Sequence, residues 1–214
     1  MAKIRPEKIQ SSKEELLNSI THSVGLLLSI AGLVMLLMPA SAHGNAKRIV
    51  CFSIYGASLV AMYAISTLCH SLPLGRAKNI VTLIDYSTIY ILIAGTYTPI
   101  VLISFGPAWG WSYFGTIWGM AFAGLALTLI SKGKAQVLSI VIYLLMGWLA
   151  LAAIPPIIKN VSINAIVLLV TGGILYSLGV IFFRWEKLPF HHAIFHMFVL
   201  GGSLFCYFAI LFYI

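Results

Sequence analysis

Charge is what this sequence has least of. Charged residues occupy 8% of its 214 positions, and only five of them are acidic. A soluble domain carries about 25% charged residues, so too little polar material remains here to coat a water-facing surface. That scarcity excludes a soluble globular enzyme, and the 61% hydrophobic content excludes a disordered chain. Cysteine is also sparse. Cys51, Cys69 and Cys206 are odd in number and each sits in or beside an apolar run. They read as small core residues, which excludes a disulfide-built secreted scaffold. A cleavable leader is not expected either: residues 1–19, MAKIRPEKIQSSKEELLNS, read as too polar for one and are expected to form a mature cytoplasmic tail. Basic clusters are lacking, because the 13 Lys and Arg are scattered in ones and twos. The net charge of +8 and pI near 9.5 therefore point to membrane topology and not to nucleic acid.

What is present is apolar length, with a mean hydropathy of +1.02. Seven stretches are long enough to cross a ~30 Å hydrocarbon core as helices. They cover residues 20–38, 48–70, 80–104, 108–130, 136–154, 162–183 and 191–213. Pro39, Pro73 with Gly75, Gly106-Pro107, the polar run 131–134, Pro155-Pro156 and Pro189 mark the breaks. The runs are continuous and do not alternate in polarity, which excludes a β-barrel. The fold class predicted is an all-α membrane protein, a seven-helix bundle over residues 20–214 located in the cell membrane as a multi-pass protein. Membrane lipids are its expected partners.

Lys and Arg set the orientation. The tail and the loops after spans two, four and six hold ten of them: Lys3, Arg5, Lys8, Lys13, Arg76, Lys78, Lys132, Lys134, Arg184 and Lys187. The opposite side holds three, Lys47, Arg48 and Lys159. The bias places the N-terminus in the cytoplasm and the C-terminus outside.

Ionisable side chains inside spans are costly and mark candidate sites. His22 opens span one, His70 ends span two, Asp85 (the only Asp) lies about 7 Å into span three, and His192 and His196 open span seven. The alternation of the spans puts all five in the cytoplasmic leaflet, where they can converge. His192 and His196 are one turn apart, so both imidazoles project from one helix face, as do Ser66 and His70. Three imidazoles with an open fourth position are the ligand set of a catalytic zinc. Asp85 would then orient or deprotonate the metal's water, with Ser66 hydrogen-bonded nearby. Each residue also has a plainer reading: an intramembrane His can be an interhelical hydrogen-bonding group, His22 can snorkel, and His191 points about 100° from His192 toward the interface.

These residues resemble a known pattern. Ser66-x-x-x-His70, Asp85 and His192-x-x-x-His196, with Glu15-x-x-Asn18-x-x-Thr21-His22 before span one and Gly95-Thr96-Tyr97-Thr98-Pro99 in span three, are similar to the signature of the hemolysin III family. That family is the bacterial branch of the progestin and adiponectin receptor group, in a superfamily that includes alkaline ceramidases. The resemblance implies zinc on His70, His192 and His196, a water linked to Asp85 and Ser66, and accessory roles for His22, Glu15 and Asn18. His22 or Glu15 could also supply a fourth ligand. Three functions stay open: a zinc hydrolase of lipid amides or esters linked to membrane homeostasis, a cytolysin or pore, and a lipid-sensing regulator with a structural zinc.

The remaining patterns need no special function. Gly115-x-x-x-Gly119-x-x-x-Ala123 and Gly173-x-x-x-Ser177 read as helix-packing seams. Pro99 is expected to kink span three.

Overall fold

The computed structural model describes residues 10–214. The tail charges Lys3, Arg5, Lys8 and Glu7 lie outside them. Eight α-helices follow in chain order: α1 (Ser12–Ala42), α2 (Ala46–Ser71), α3 (Arg76–Ser104), α4 (Pro107–Ser131), α5 (Gln136–Gly147), α6 (Ile154–Asn160), α7 (Ile163–Arg184) and α8 (His191–Tyr213). A 3₁₀ segment, Leu149–Ala153, joins α5 to α6, so these two helices form one span. Seven helical segments are long and apolar enough to cross a membrane. Among the described residues there is no strand.

Local chemistry fixes the helix ends. Ser11 caps α1 through a reciprocal box, its hydroxyl accepting from the Glu14 amide at 3.3 Å while the Glu14 carboxylate accepts from the Ser11 amide at 2.9 Å. Asn45 and Ser162 cap α2 and α7 in the same sense, accepting from Arg48 and Ala165 amides. Short connections force consecutive helices to pack antiparallel. α1, α2, α3 and α4 therefore follow one another around the bundle, and α8 returns between α7 and α1.

Two helix boundaries differ from the hydropathy reading. α1 begins at Ser12, inside the stretch assigned to the tail, and runs through Pro39 to Ala42. Pro39 has no N–H to give to the carbonyl four residues before it, and α1 ends three residues after it. Span five is the second. It was expected to be continuous and to end before Pro155-Pro156, but it breaks near Trp148 and restarts with those prolines in the first turn of α6. There their missing N–H groups have no intrahelical role. Tyr97 of α3 bridges the break: its hydroxyl donates to Gly147 O and accepts from Ala150 N–H, both at 2.9 Å. Trp148 Nε1 adds a bond to Ser177 of α7 at 3.0 Å. Backbone groups freed within a bilayer must find such partners.

The interior is tyrosine-rich. Tyr55, Tyr63 and Tyr90 are fully buried, and the hydroxyls of Tyr63 and Tyr176 both meet Ser203 of α8 at 2.8 and 2.9 Å. α7 and α8 approach closely at Gly172, where a Cβ would lie 3.0 Å from the Gly202 carbonyl and 2.7 Å from Cys206 Sγ. The three cysteines are buried and form no disulfide among the described residues. Leu27, Met38, Ile130 and Ile163 instead face outward, as lipid-exposed side chains of a bundle should. The Gly115–Gly119 seam belongs to this outer face too: a Cβ at either glycine would meet nothing within 4 Å. The α4 glycines that contact the bundle are Gly110 and Gly124, whereas Gly173 does pack, against Trp148.

Candidate metal centre

The start of α1, the end of α2, the start of α3 and the start of α8 meet at one end of the bundle, and the expected residues gather there. His70, in the last turn of α2, faces His192 and His196 on one face of α8. All three are buried, and their ligand atoms lie within 4.8 Å of one another. Ring centroids are 5.0 Å apart for His70 and each partner, and 4.6 Å between His192 and His196. Among the described residues no other group of His, Cys, Asp or Glu comes together in this way.

Each helix contributes for a local reason. The i, i+4 spacing stacks the α8 imidazoles one turn apart. Phe190, the N-cap of α8, adopts a left-handed backbone (φ 56°), and its N–H donates to Glu14 Oε1 of α1 at 3.2 Å. A carboxylate at this helix N-terminus also opposes the dipole favourably. His191 is buried, with Nδ1 3.1 Å from the Phe182 carbonyl.

Two of the three imidazoles are oriented from behind. His70 Nδ1 lies 2.8 Å from Glu15 Oε2, and Lys78 Nζ donates to Glu15 Oε1 at 2.6 Å. His196 Nδ1 lies 3.1 Å from the Thr21 hydroxyl, whose own proton goes to the Asn18 carbonyl at 2.9 Å. Thr21 therefore accepts from His196. Such partners fix ring tautomer and orientation in metal sites. His70 Nε2 is buried with no hydrogen-bond partner among the described residues, a state that costs about 1–3 kcal/mol for an ordinary polar atom. A metal ion would satisfy it, and three buried imidazoles are a donor set suited to a first-row divalent ion such as zinc.

The other expected residues surround this group. His22 stacks on His196 with centroids 3.5 Å apart, and neither of its ring nitrogens has a hydrogen-bond partner among the described residues. It stays outside the set of close ligand atoms. Glu15 lies behind His70, a place that suits orientation better than ligation. Asn18 is buried, with its side-chain amide donating to Gln10 Oε1. Ser66 and Asp85 line a cavity shared with His22, His192 and His196. Lys78 had been counted only as a topological charge. It is buried in α3 and paired with Glu15. Its partner lies 63 residues away, so no local spacing signals it.

The cavity has a volume of about 480 Å³ and apolar walls, within the usual range for small-molecule sites. Along α3 it is lined from Asp85 through Ile89, Ile93 and Tyr97 to Val101, about 24 Å of helix at 1.5 Å per residue. α5, α6 and α7 complete it with residues such as Ile140, Leu144, Ile157 and Leu169. The histidines stand at one end and hydrocarbon fills the walls beyond.

Fold and site together define a class: a multi-pass membrane protein of seven spans with a buried cluster of three histidines, two of which line one end of an apolar cavity. Residues 10–207 match the family described as Haemolysin-III related. Hemolysin-3 of Bacillus cereus is 45% identical over 96% of this chain and 94% of that protein, and the Hemolysin-3 homolog of Bacillus subtilis (strain 168) is 45% identical over 94% of each. The human Monocyte to macrophage differentiation factor is 33% identical over 73% of this chain and 67% of its own length. The chain belongs to the Haemolysin-III-related family of membrane proteins.

Proposed function

We propose that this protein is a zinc-dependent hydrolase that cleaves lipid amides or esters within the bilayer and takes part in membrane homeostasis. One juxtaposition carries the reading: His192 and His196 of the three-histidine cluster line one end of a long apolar cavity whose wall also holds Asp85 and Ser66. His70, His192 and His196 would hold the ion. When bound, zinc would supply Lewis acidity and a water acidified to a pKa of about 7.

The remaining work falls to the chain. The cavity walls bind an acyl chain and keep bulk water from the scissile carbonyl, which strengthens electrostatic interactions at that end. Asp85 accepts the proton of the attacking water and passes it to the departing amine or alcohol, the task of a positioned general acid–base group. Ser66 donates a hydrogen bond to the reacting oxygen. A set of three protein ligands supports catalysis over a purely structural ion, which ordinarily takes four.

A second reading rests on the name of the relatives at 45% identity, Hemolysin-3: membrane lysis, with the ion serving only the fold. Lipid analysis separates the two. Purified, zinc-loaded protein is incubated with a panel of lipid amides and esters, with and without chelator. The hydrolase reading expects fatty acid release that the chelator abolishes. Red-cell lysis with no lipid product would favour the second reading.

A further inference from the structure

The Glu15 carboxylate sits between two donors. Oε2 is 2.8 Å from His70 Nδ1, and Oε1 is 2.6 Å from the Lys78 ammonium. An ionised carboxylate can only accept hydrogen bonds, so His70 carries its ring proton on Nδ1. In the neutral ring Nε2 is then a bare lone pair, at a buried atom with no hydrogen-bond partner among the described residues, and that is the form in which an imidazole binds a metal. Lys78 is only 7% exposed. Its ammonium has donors and no acceptor, so it claims one Glu15 oxygen and leaves the other for His70.

We propose that Glu15 and Lys78 together select the tautomer of His70: Glu15 is a positioning residue for the metal site, and Lys78 decides which atom of residue 15 faces the ring. The inference rests on the metal-binding reading above.

It makes an asymmetric prediction for Glu15→Gln. Glutamine has one carbonyl oxygen and one NH₂. Lys78 takes the oxygen, so the NH₂ turns to His70 and donates to Nδ1. The ring proton is thereby driven to Nε2, which blocks the ligating lone pair. With Lys78→Met added, the amide is free to turn its oxygen toward His70 and the original tautomer returns. A role confined to packing would have no reason to depend on His70. In a His70→Cys background the thiolate ligand has no second nitrogen to orient, so Glu15→Gln should there change nothing.

The test is zinc affinity of the full-length protein in detergent, measured by competition with a fluorescent zinc chelator, with thermal unfolding followed in parallel. Expected are a 10–100-fold loss for Glu15→Gln, the usual cost of losing such a partner, recovery to within a few-fold of wild type for Glu15→Gln/Lys78→Met, and equal affinity of His70→Cys with and without Glu15→Gln. Wild-type affinity in Glu15→Gln would overturn the tautomer assignment while leaving the metal site standing. An equal loss in the His70→Cys background would overturn it as well, by showing that Glu15 acts through the fold. A wild-type protein that binds no zinc would overturn the metal reading itself.

Discussion

Asp85 lines the cavity with His192 and His196, yet it stands outside the close group of ligand atoms. A residue so placed is suited to moving protons without holding the ion. Asp85→Asn keeps the size and hydrogen-bonding capacity and removes the base. It should retain the zinc and lower lipid turnover by about 10²–10⁴, measured as fatty acid released by equally metal-loaded proteins; loss of the metal would show that Asp85 is a ligand instead. At this scale the sequence was most informative about the histidines. The i, i+4 pair on α8 and His70 on α2 were visible because ionisable residues stand out in apolar runs. It was least informative about what holds them in place. Lys78 resembled a loop charge, and Thr21 gains its role only from contact with His196, 175 residues away.

Among the elements, the fifth span is the one that departs from a plain membrane helix. Its α5 half ends at Gly147, and the Tyr97 hydroxyl satisfies both Gly147 O and Ala150 N–H. Tyr97→Phe removes both bonds at once and leaves two backbone groups unpaired within the bundle. A loss of stability of about 1–3 kcal/mol is expected, visible as a lower Tm in detergent; an unchanged Tm would mean that the break is held by other contacts. The seven spans were legible because transfer of a continuous apolar run into lipid depends on composition alone. The break was not, since Pro155-Pro156 reads equally well as a terminator or as the first turn of a new helix. The Gly115–Gly119 spacing was misread for a similar reason: periodicity shows which residues share a face and does not say whether that face meets protein or lipid. α1 begins earlier than hydropathy indicates because its polar first turns pack against the site, where Glu15 pairs with His70 and Lys78 and Asn18 is buried.

Across the whole molecule, helices from both ends of the chain close around one cavity, and the three histidines tie α2 to α8 at one end of it. α1 reinforces that junction twice, through Glu15 to α2 and α3 and through Glu14 to the start of α8. The apolar outer faces leave the bilayer as the natural surroundings of the bundle. The proposed activity requires a metal at this junction. The most direct measurement is the zinc content of the purified protein, by elemental analysis, for wild type and for His192→Ala/His196→Ala. The metal reading predicts about one zinc per wild-type chain, held by the three imidazoles, and almost none in the double variant. Full occupancy in the double variant, or none in wild type, would contradict it.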